Sequence, residues 1–294
     1  MPHSHSPRAD GHMLRVGRIP YINCYPVYGG IDRGVVPLDG QLVDGVPTVL
    51  NRLMASSQLD VSVVSAVEYA RDATRYLLLP ELGITSDGPV RSVMLFSRRN
   101  PGALGGLPVL VSRSSMTSVA LLELLFEHVW RCTPEFRPGD AELADLERFD
   151  DEPHEARLVI GDAALRLADE ATRGGRWAEH HPFRIDLGEA WKDWTGLPFV
   201  FAVWVAQRTA PVRDALGVHA SLIASRDWGL QHLDLLAAQA SLASGVPRDT
   251  CLEYLSGLDY RLSYPHLAGL TEFYRRLVKA GRVPDGTLSF LPAA

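Results

Sequence analysis

Phe199-Val200-Phe201-Ala202-Val203-Trp204-Val205 is an unbroken apolar run, β-branched or aromatic at every position but Ala202. It is far shorter than a membrane span and reads as a strongly apolar strand. Beyond Pro211 the chain carries only helical spacing. Residues 212–225, 228–243, 247–255 and 265–280 repeat apolar side chains at three and four. Strand–helix units that precede this run are therefore interrupted, resumed and closed by C-terminal helices, and a return crossing is placed just before Phe199.

Upstream, residues 14–19 form a short alternating strand that Pro20 ends. The loop Pro20-Tyr21-Ile22-Asn23-Cys24-Tyr25-Pro26 follows, and a helix starts near Pro26, kept short by Gly29-Gly30. A weak strand at 41–44, a helix at 47–57, a strand at 59–64, a helix at 65–71 and strands at 76–79 and 90–97 complete a β-α-β-α-β pattern. That pattern implies a largely parallel sheet. Composition shifts to Arg, Asn, Pro and Gly at 98–108, which is read as the first boundary. A second unit follows, with strands at 109–112, 135–137, 157–160 and 183–187 and helices at 116–130, 141–149, 161–168 and 188–195. The expected architecture is α/β, with two lobes, a hinge, an interlobe cleft and C-terminal helices. Lobe 1 is residues 14–97 plus 200–294, lobe 2 is residues 98–199, and residues 1–13 are a disordered leader.

The 294 residues favour two domains, and 46% apolar content is enough for two cores. Net charge is -6, and the basic spots Arg98-Arg99 and Arg275-Arg276 are short and isolated, so no nucleic-acid partner is expected. An acidic protein can still hold an anion through local N–H and O–H donors. Cys24, Cys132 and Cys251 are far apart and without metal-ligand spacing, as free thiols of a reducing compartment would be. No apolar stretch reaches the ~18–20 residues of a membrane span, and residues 1–13 lack the apolar core of a secretory signal. A cytoplasmic location is expected. Nucleotide and metal motifs are missing, and His180-His181 sits in a polar stretch, so no cofactor is expected. An apolar face on the C-terminal helices offers a homodimer contact.

Ligands of open α/β sheets sit beyond the carboxyl ends of strands, so the loops there carry the candidates. Asn23 offers a donor and an acceptor, against a plain turn role. The run Ser112-Arg113-Ser114-Ser115-Met116-Thr117-Ser118 opens a strong helix with more hydroxyls than one N-cap needs, which suits an anion. Ser65 reads as an N-cap or a ligand hydroxyl. Ser92 lies near the expected hinge. Gly161-Asp162 follows a buried strand, where Asp162 is a base or a cap. Trp191 and Trp194 either wall a pocket for a planar ring or pack in the core.

Five stretches together resemble one family. They are Arg15-Val16-Gly17-Arg18-Ile19-Pro20-Tyr21-Ile22-Asn23, the segment from Gly88 to Ser97, the Val111 to Ser118 turn, Ile160-Gly161-Asp162-Ala163-Ala164-Leu165, and the segment from Asp186 to Val200. They resemble the chorismate dehydratases of the futalosine route to menaquinone, from about residue 14 onward. The resemblance implies a type II periplasmic-binding-protein fold used for catalysis, with the dicarboxylate chorismate as substrate and 3-[(1-carboxyvinyl)oxy]benzoate as product. It assigns Asn23 and Ser92 as catalytic and the Ser114, Ser115 and Thr117 turn to binding the anionic substrate; Ser65, Gly161, Asp162 and Trp191 join the substrate-binding set on their positions alone. Cys24 departs from the Thr or Ser expected there. The base is either Asp162 or the substrate's own side-chain carboxylate, with the second favoured. The alternatives are the 1,4-dihydroxy-6-naphthoate synthase of the same pathway and a non-catalytic small-anion binding protein.

Overall fold

A computed structural model of the chain describes residues 13–140, 142–149 and 151–292. The expected leader lies outside the described residues, apart from Met13. The first lobe opens with β1 (Arg15–Arg18), α1 (Tyr25–Asp32), β2 (Gln41–Asp44), α2 (Pro47–Ala55), β3 (Val61–Ser65), α3 (Ala66–Arg71) and the long β4 (Tyr76–Ser86). The chain then crosses into a second lobe of β5 (Val93–Ser97), β6 (Pro108–Ser112), α4 (Met116–Leu125), β7 (Glu135–Gly139), β8 (Ala156–Ile160), α5 (Gly161–Thr172), α6 (Arg176–His180), β9 (Phe183–Asp186) and α7 (Leu187–Thr195). It crosses back into β10 (Phe199–Gln207) and ends in α8 (Val212–Gln231), α9 (Leu233–Ser244), α10 (Arg248–Gly257) and α11 (Tyr264–Lys279).

The first sheet has the order β2-β1-β3-β10-β4 and the second the order β7-β6-β8-β5-β9. In the first, β1 runs parallel to β2 and β3, while β10 is antiparallel to β3 and β4. In the second, β6 runs parallel to β7 and β8, while β5 is antiparallel to β8 and β9. The antiparallel member of each sheet is thus the strand delivered by a crossing. Central position explains the apolar run: Val63, Val64, Val203, Trp204 and Val205 are all fully buried. Trp204 keeps its indole N–H satisfied by donating to the Tyr28 hydroxyl at 3.0 Å, and Tyr28 donates to the Gly17 carbonyl at 2.9 Å.

The expected boundary after Ser97 is corrected by the ladder. β5 pairs with β8 and β9, so it belongs to the second lobe, and the first crossing is the segment between Ser86 and Val93. The shift in composition at 98–108 marks the β5–β6 loop; a crossing needs unusual backbone instead. Gly88 has φ +114° and Arg91 φ +63° within that crossing. The Asp186 carboxylate accepts the Val90 and Arg91 N–H groups at 3.0 and 2.5 Å and also caps α7 through the Gly188 N–H at 2.8 Å. One side chain therefore fixes both the crossing and the start of the last helix of the second lobe. Other elements differ from expectation as well, two of them in kind or length. The strand read at 76–79 runs on through Pro80 to Ser86, because Glu81 at φ +58° absorbs the irregularity. The helix read at 141–149 is a 3-10 turn over Leu143–Arg148.

Candidate active site

Parallel β–α units place helix N-termini at one edge of each sheet. The 3-10 turn Ile22–Cys24 after β1 and the starts of α3, α4 and α5 meet there, across a cleft between the lobes. Asn23, Ser65, Ser92, Ser115, Ser118 and Gly161 all line it. Ile19, Ile84, Val90 and Phe201 add apolar wall. Among the described lining residues there is no carboxylate, lysine, arginine or histidine. The ionisable groups present, Tyr21 and Cys24, are both pushed up mainly by burial and keep their protons at neutral pH.

Asn23 is the most telling of these. Its Oδ1 is buried and has no hydrogen-bond partner. A buried unpaired carbonyl is costly to a fold, so its retention at the cleft wall points to a role with a ligand. Ser65 does not cap α3 with its side chain. Its Oγ accepts from Asn51 Nδ2 at 3.0 Å, and its own N–H donates to Asn51 Oδ1 at 3.1 Å. Ser92 Oγ accepts from the Tyr254 hydroxyl at 2.7 Å. At the α4 turn, the Ser115 hydroxyl donates to Ser118 Oγ at 2.8 Å and its oxygen accepts the Ser118 N–H at 3.3 Å. Sequence reasoning placed Ser118 in the anion turn but did not single it out, and it missed Asn51 and Tyr254 altogether.

The remaining candidates hold the lobes together or lie away from the cleft. Thr117 Oγ1 accepts the Val67 N–H of α3 at 3.1 Å, so it caps a helix of the opposite lobe. Asp162 Oδ1 accepts the Ile22 N–H at 3.0 Å, also across the cleft, and so supports the turn that carries Asn23. The Tyr21 hydroxyl donates to both oxygens of Glu142, at 2.9 and 3.0 Å. In each of these pairs the first lobe donates and the second accepts. Gly161 must be glycine: its φ is +61°, and a Cβ there would meet the Tyr21 ring at 3.2 Å. Ser114 does not line the cleft, and its N–H donates to Ser112 Oγ at 3.0 Å. Trp191 corrects the substrate-binding expectation outright. It is 0% exposed, donates to the Pro198 carbonyl at 3.2 Å and packs on Phe199 and Phe273. Its spacing on α7 suits a core anchor as well as a pocket wall, and the core has it.

The cleft is closed in this conformation. Its open volume is about 60 Å³, room for a few waters only. A ring with two carboxylates needs the interlobe bonds to part before it can enter, as hinge-closing α/β proteins do.

Burial pushes the Asp162 carboxyl up from 3.8 to about 6, with the Ile22 N–H opposing. The folded state therefore holds this proton more tightly than the unfolded chain does. Its stabilising effect is complete below about pH 4 and lost as pH rises through about 6. Asp162→Asn keeps an acceptor for Ile22 and removes that loss. It is expected to be more stable than the native protein at neutral pH, by at most about 3 kcal/mol, and to flatten the decline between about pH 4 and 6. Thermal melts across that range check this.

A family model described as menaquinone biosynthesis matches residues 14–279 of the chain. A chorismate dehydratase of Thermus thermophilus is 32% identical over 269 residues, covering 88% of this chain and 95% of that protein. A chorismate dehydratase of Campylobacter jejuni is 26% identical over 190 residues, covering 63% and 64%. Among solved structures, a protein of Archaeoglobus fulgidus superposes with a TM-score of 0.76 at 18% identity, covering 93% of this chain and all of that one. A Candida albicans protein with the generic periplasmic binding protein fold gives 0.66 at 13% identity, covering 96% and 98%. The Escherichia coli periplasmic aliphatic sulphonate binding protein gives 0.61 at 14% identity, covering 92% and 94%. These structural likenesses establish the periplasmic-binding-protein-like fold.

Proposed function

The chain belongs to the menaquinone biosynthesis family, and from that premise we propose that it is a chorismate dehydratase, a hydro-lyase, that forms 3-[(1-carboxyvinyl)oxy]benzoate on the futalosine route. The observation that supports the chemistry is a cleft whose polar wall is Asn23 and serine hydroxyls, with no ionisable base among its described lining residues.

Chorismate carries two carboxylates, a ring hydroxyl and a neighbouring ring proton. In the proposed reaction the side-chain carboxylate of the substrate takes that proton. The C–H electron pair becomes the last double bond of an aromatic ring, the C–O bond breaks, and the hydroxyl leaves as water with the proton the carboxylate took, which returns the carboxylate to its ionised form. The protein's task is to hold the dianion so that its own carboxylate reaches the proton. Serine hydroxyls and the N-terminus of α4 hold carboxylates without a formal cation, and the helix dipole adds to their pull. Asn23 orients the departing hydroxyl, whose O–H donates to the open Oδ1. Positioning an intramolecular base is worth roughly 7–11 kcal/mol of barrier lowering in favourable cases. Closure of the lobes excludes water and strengthens each of these bonds.

Asp162 is held by Ile22 and is not among the residues lining the cleft, which supports the substrate carboxylate over Asp162 as the base. Asp162→Asn is therefore expected to lower turnover of chorismate by less than about tenfold, far below the loss of ~10²–10⁴ that follows removal of a general base. Steady-state kinetics on the folded variant check this, and a dead variant would make Asp162 the base.

A further inference from the structure

We infer that Tyr254, on the C-terminal helix α10, is a positioning residue that turns the Ser92 hydroxyl proton into the cleft; this rests on the dehydratase reading. The Tyr254 hydroxyl lies 2.7 Å from Ser92 Oγ, and both residues are buried, Tyr254 at 1% and Ser92 at 3% exposure. One hydrogen bond between two hydroxyls uses one proton. A phenol is a far stronger acid than an alkyl hydroxyl, so the phenol donates and the serine accepts. The serine proton is then uncommitted, and Ser92 lines the cleft. A donor whose oxygen already accepts a hydrogen bond is a stronger donor, because the two bonds polarise each other.

The same arrangement recurs around the cleft. Asn51 Nδ2 donates to Ser65 Oγ at 3.0 Å. Ser65 also lines the cleft. Two serines thus each accept from the wall behind them, which leaves each proton for the ligand. Such a pair of donors suits an anion inside a protein of net charge -6, where it avoids a buried cation. Tyr254 is the member best suited to a test, because phenylalanine keeps its shape and removes only the hydroxyl.

The experiment is a double-mutant cycle on the full chain with chorismate as substrate, read by kcat/KM and by thermal melting. Tyr254→Phe is expected to lower kcat/KM about tenfold and Ser92→Ala about 10²-fold, the lower end of the range for a single lost donor. The double variant should fall within about twofold of Ser92→Ala alone, since the phenol acts only through the serine. Melting gives a second reading that does not depend on the substrate. Ser92→Ala strands the buried phenol, so the double variant should melt higher than Ser92→Ala. Losses that multiply, or a Tyr254→Phe enzyme with unchanged kcat/KM, overturn the positioning role while the native enzyme still turns over. A native protein that neither binds nor converts chorismate overturns the dehydratase reading and the positioning role with it.

Discussion

Asn23→Ala lowers kcat on chorismate by at least about 10²-fold, the scale of removing one transition-state hydrogen-bond group, while the melting temperature holds or rises. The two halves of this expectation have one cause. Asn23 Oδ1 is buried at the cleft wall without a partner in the protein. Deleting the side chain therefore costs the fold no hydrogen bond at Oδ1. It also removes the group that orients the leaving hydroxyl. A residue held for packing would behave the other way, with stability falling and the activity of the surviving folded fraction preserved. Kinetics and melts on one preparation separate the cases. Loss of activity at unchanged or higher stability is the signature of a site that trades stability for function.

Trp191→Ala lowers stability by about 3–5 kcal/mol, the cost of emptying a large aromatic core site, and this is a large part of the ~5–15 kcal/mol that a domain has. Trp191 ties three elements together. Its ring meets Phe199 of β10 edge-on at 5.2 Å and Phe273 of α11 at 5.9 Å, and its N–H donates to the Pro198 carbonyl at 3.2 Å. It therefore anchors the last helix of the second lobe to the return crossing. Trp191→Phe keeps an aromatic ring but loses part of the indole and one hydrogen bond, so KM for chorismate should stay within about twofold with a smaller fall in melting temperature than Trp191→Ala. A pocket-wall tryptophan would show the opposite split, a raised KM at native stability. Chemical denaturation and steady-state kinetics on the two variants decide this.

Much of the fold was legible because strand–helix alternation is local. The apolar run at β10, the loop after β1 and the helix starts at Ser65, Ser115 and Gly161 lie close to where periodicity puts them. The two-lobe α/β architecture followed from their order, and the periplasmic-binding-protein-like fold from the family resemblance. The first crossing was misplaced because loop composition and a change of sheet are different things. The segment around Gly88 and Arg91 is short and marked by backbone angles that composition does not encode. The candidate site was legible where it consists of loop residues beyond strand ends, as with Asn23, Ser65 and Ser115; Ser92 was read inside a strand and stands just before β5. It was not legible where one side chain stands behind another. Tyr254 reaches Ser92 across 162 residues of sequence, and Asn51 reaches Ser65 from the middle of α2. Such partners leave no pattern in a window. Thr117 and Asp162 were read as ligand groups because their positions were right. The structure adds that each already accepts an N–H from the opposite lobe.

The central claim is that this cleft dehydrates chorismate, and the most direct measurement is to incubate the purified protein with chorismate and follow the mixture by liquid chromatography and mass spectrometry. The account predicts a product lighter than chorismate by one water, with the absorbance of a substituted benzoate, formed by the native protein and not by Asn23→Ala. Unchanged chorismate in the presence of folded native protein would contradict it.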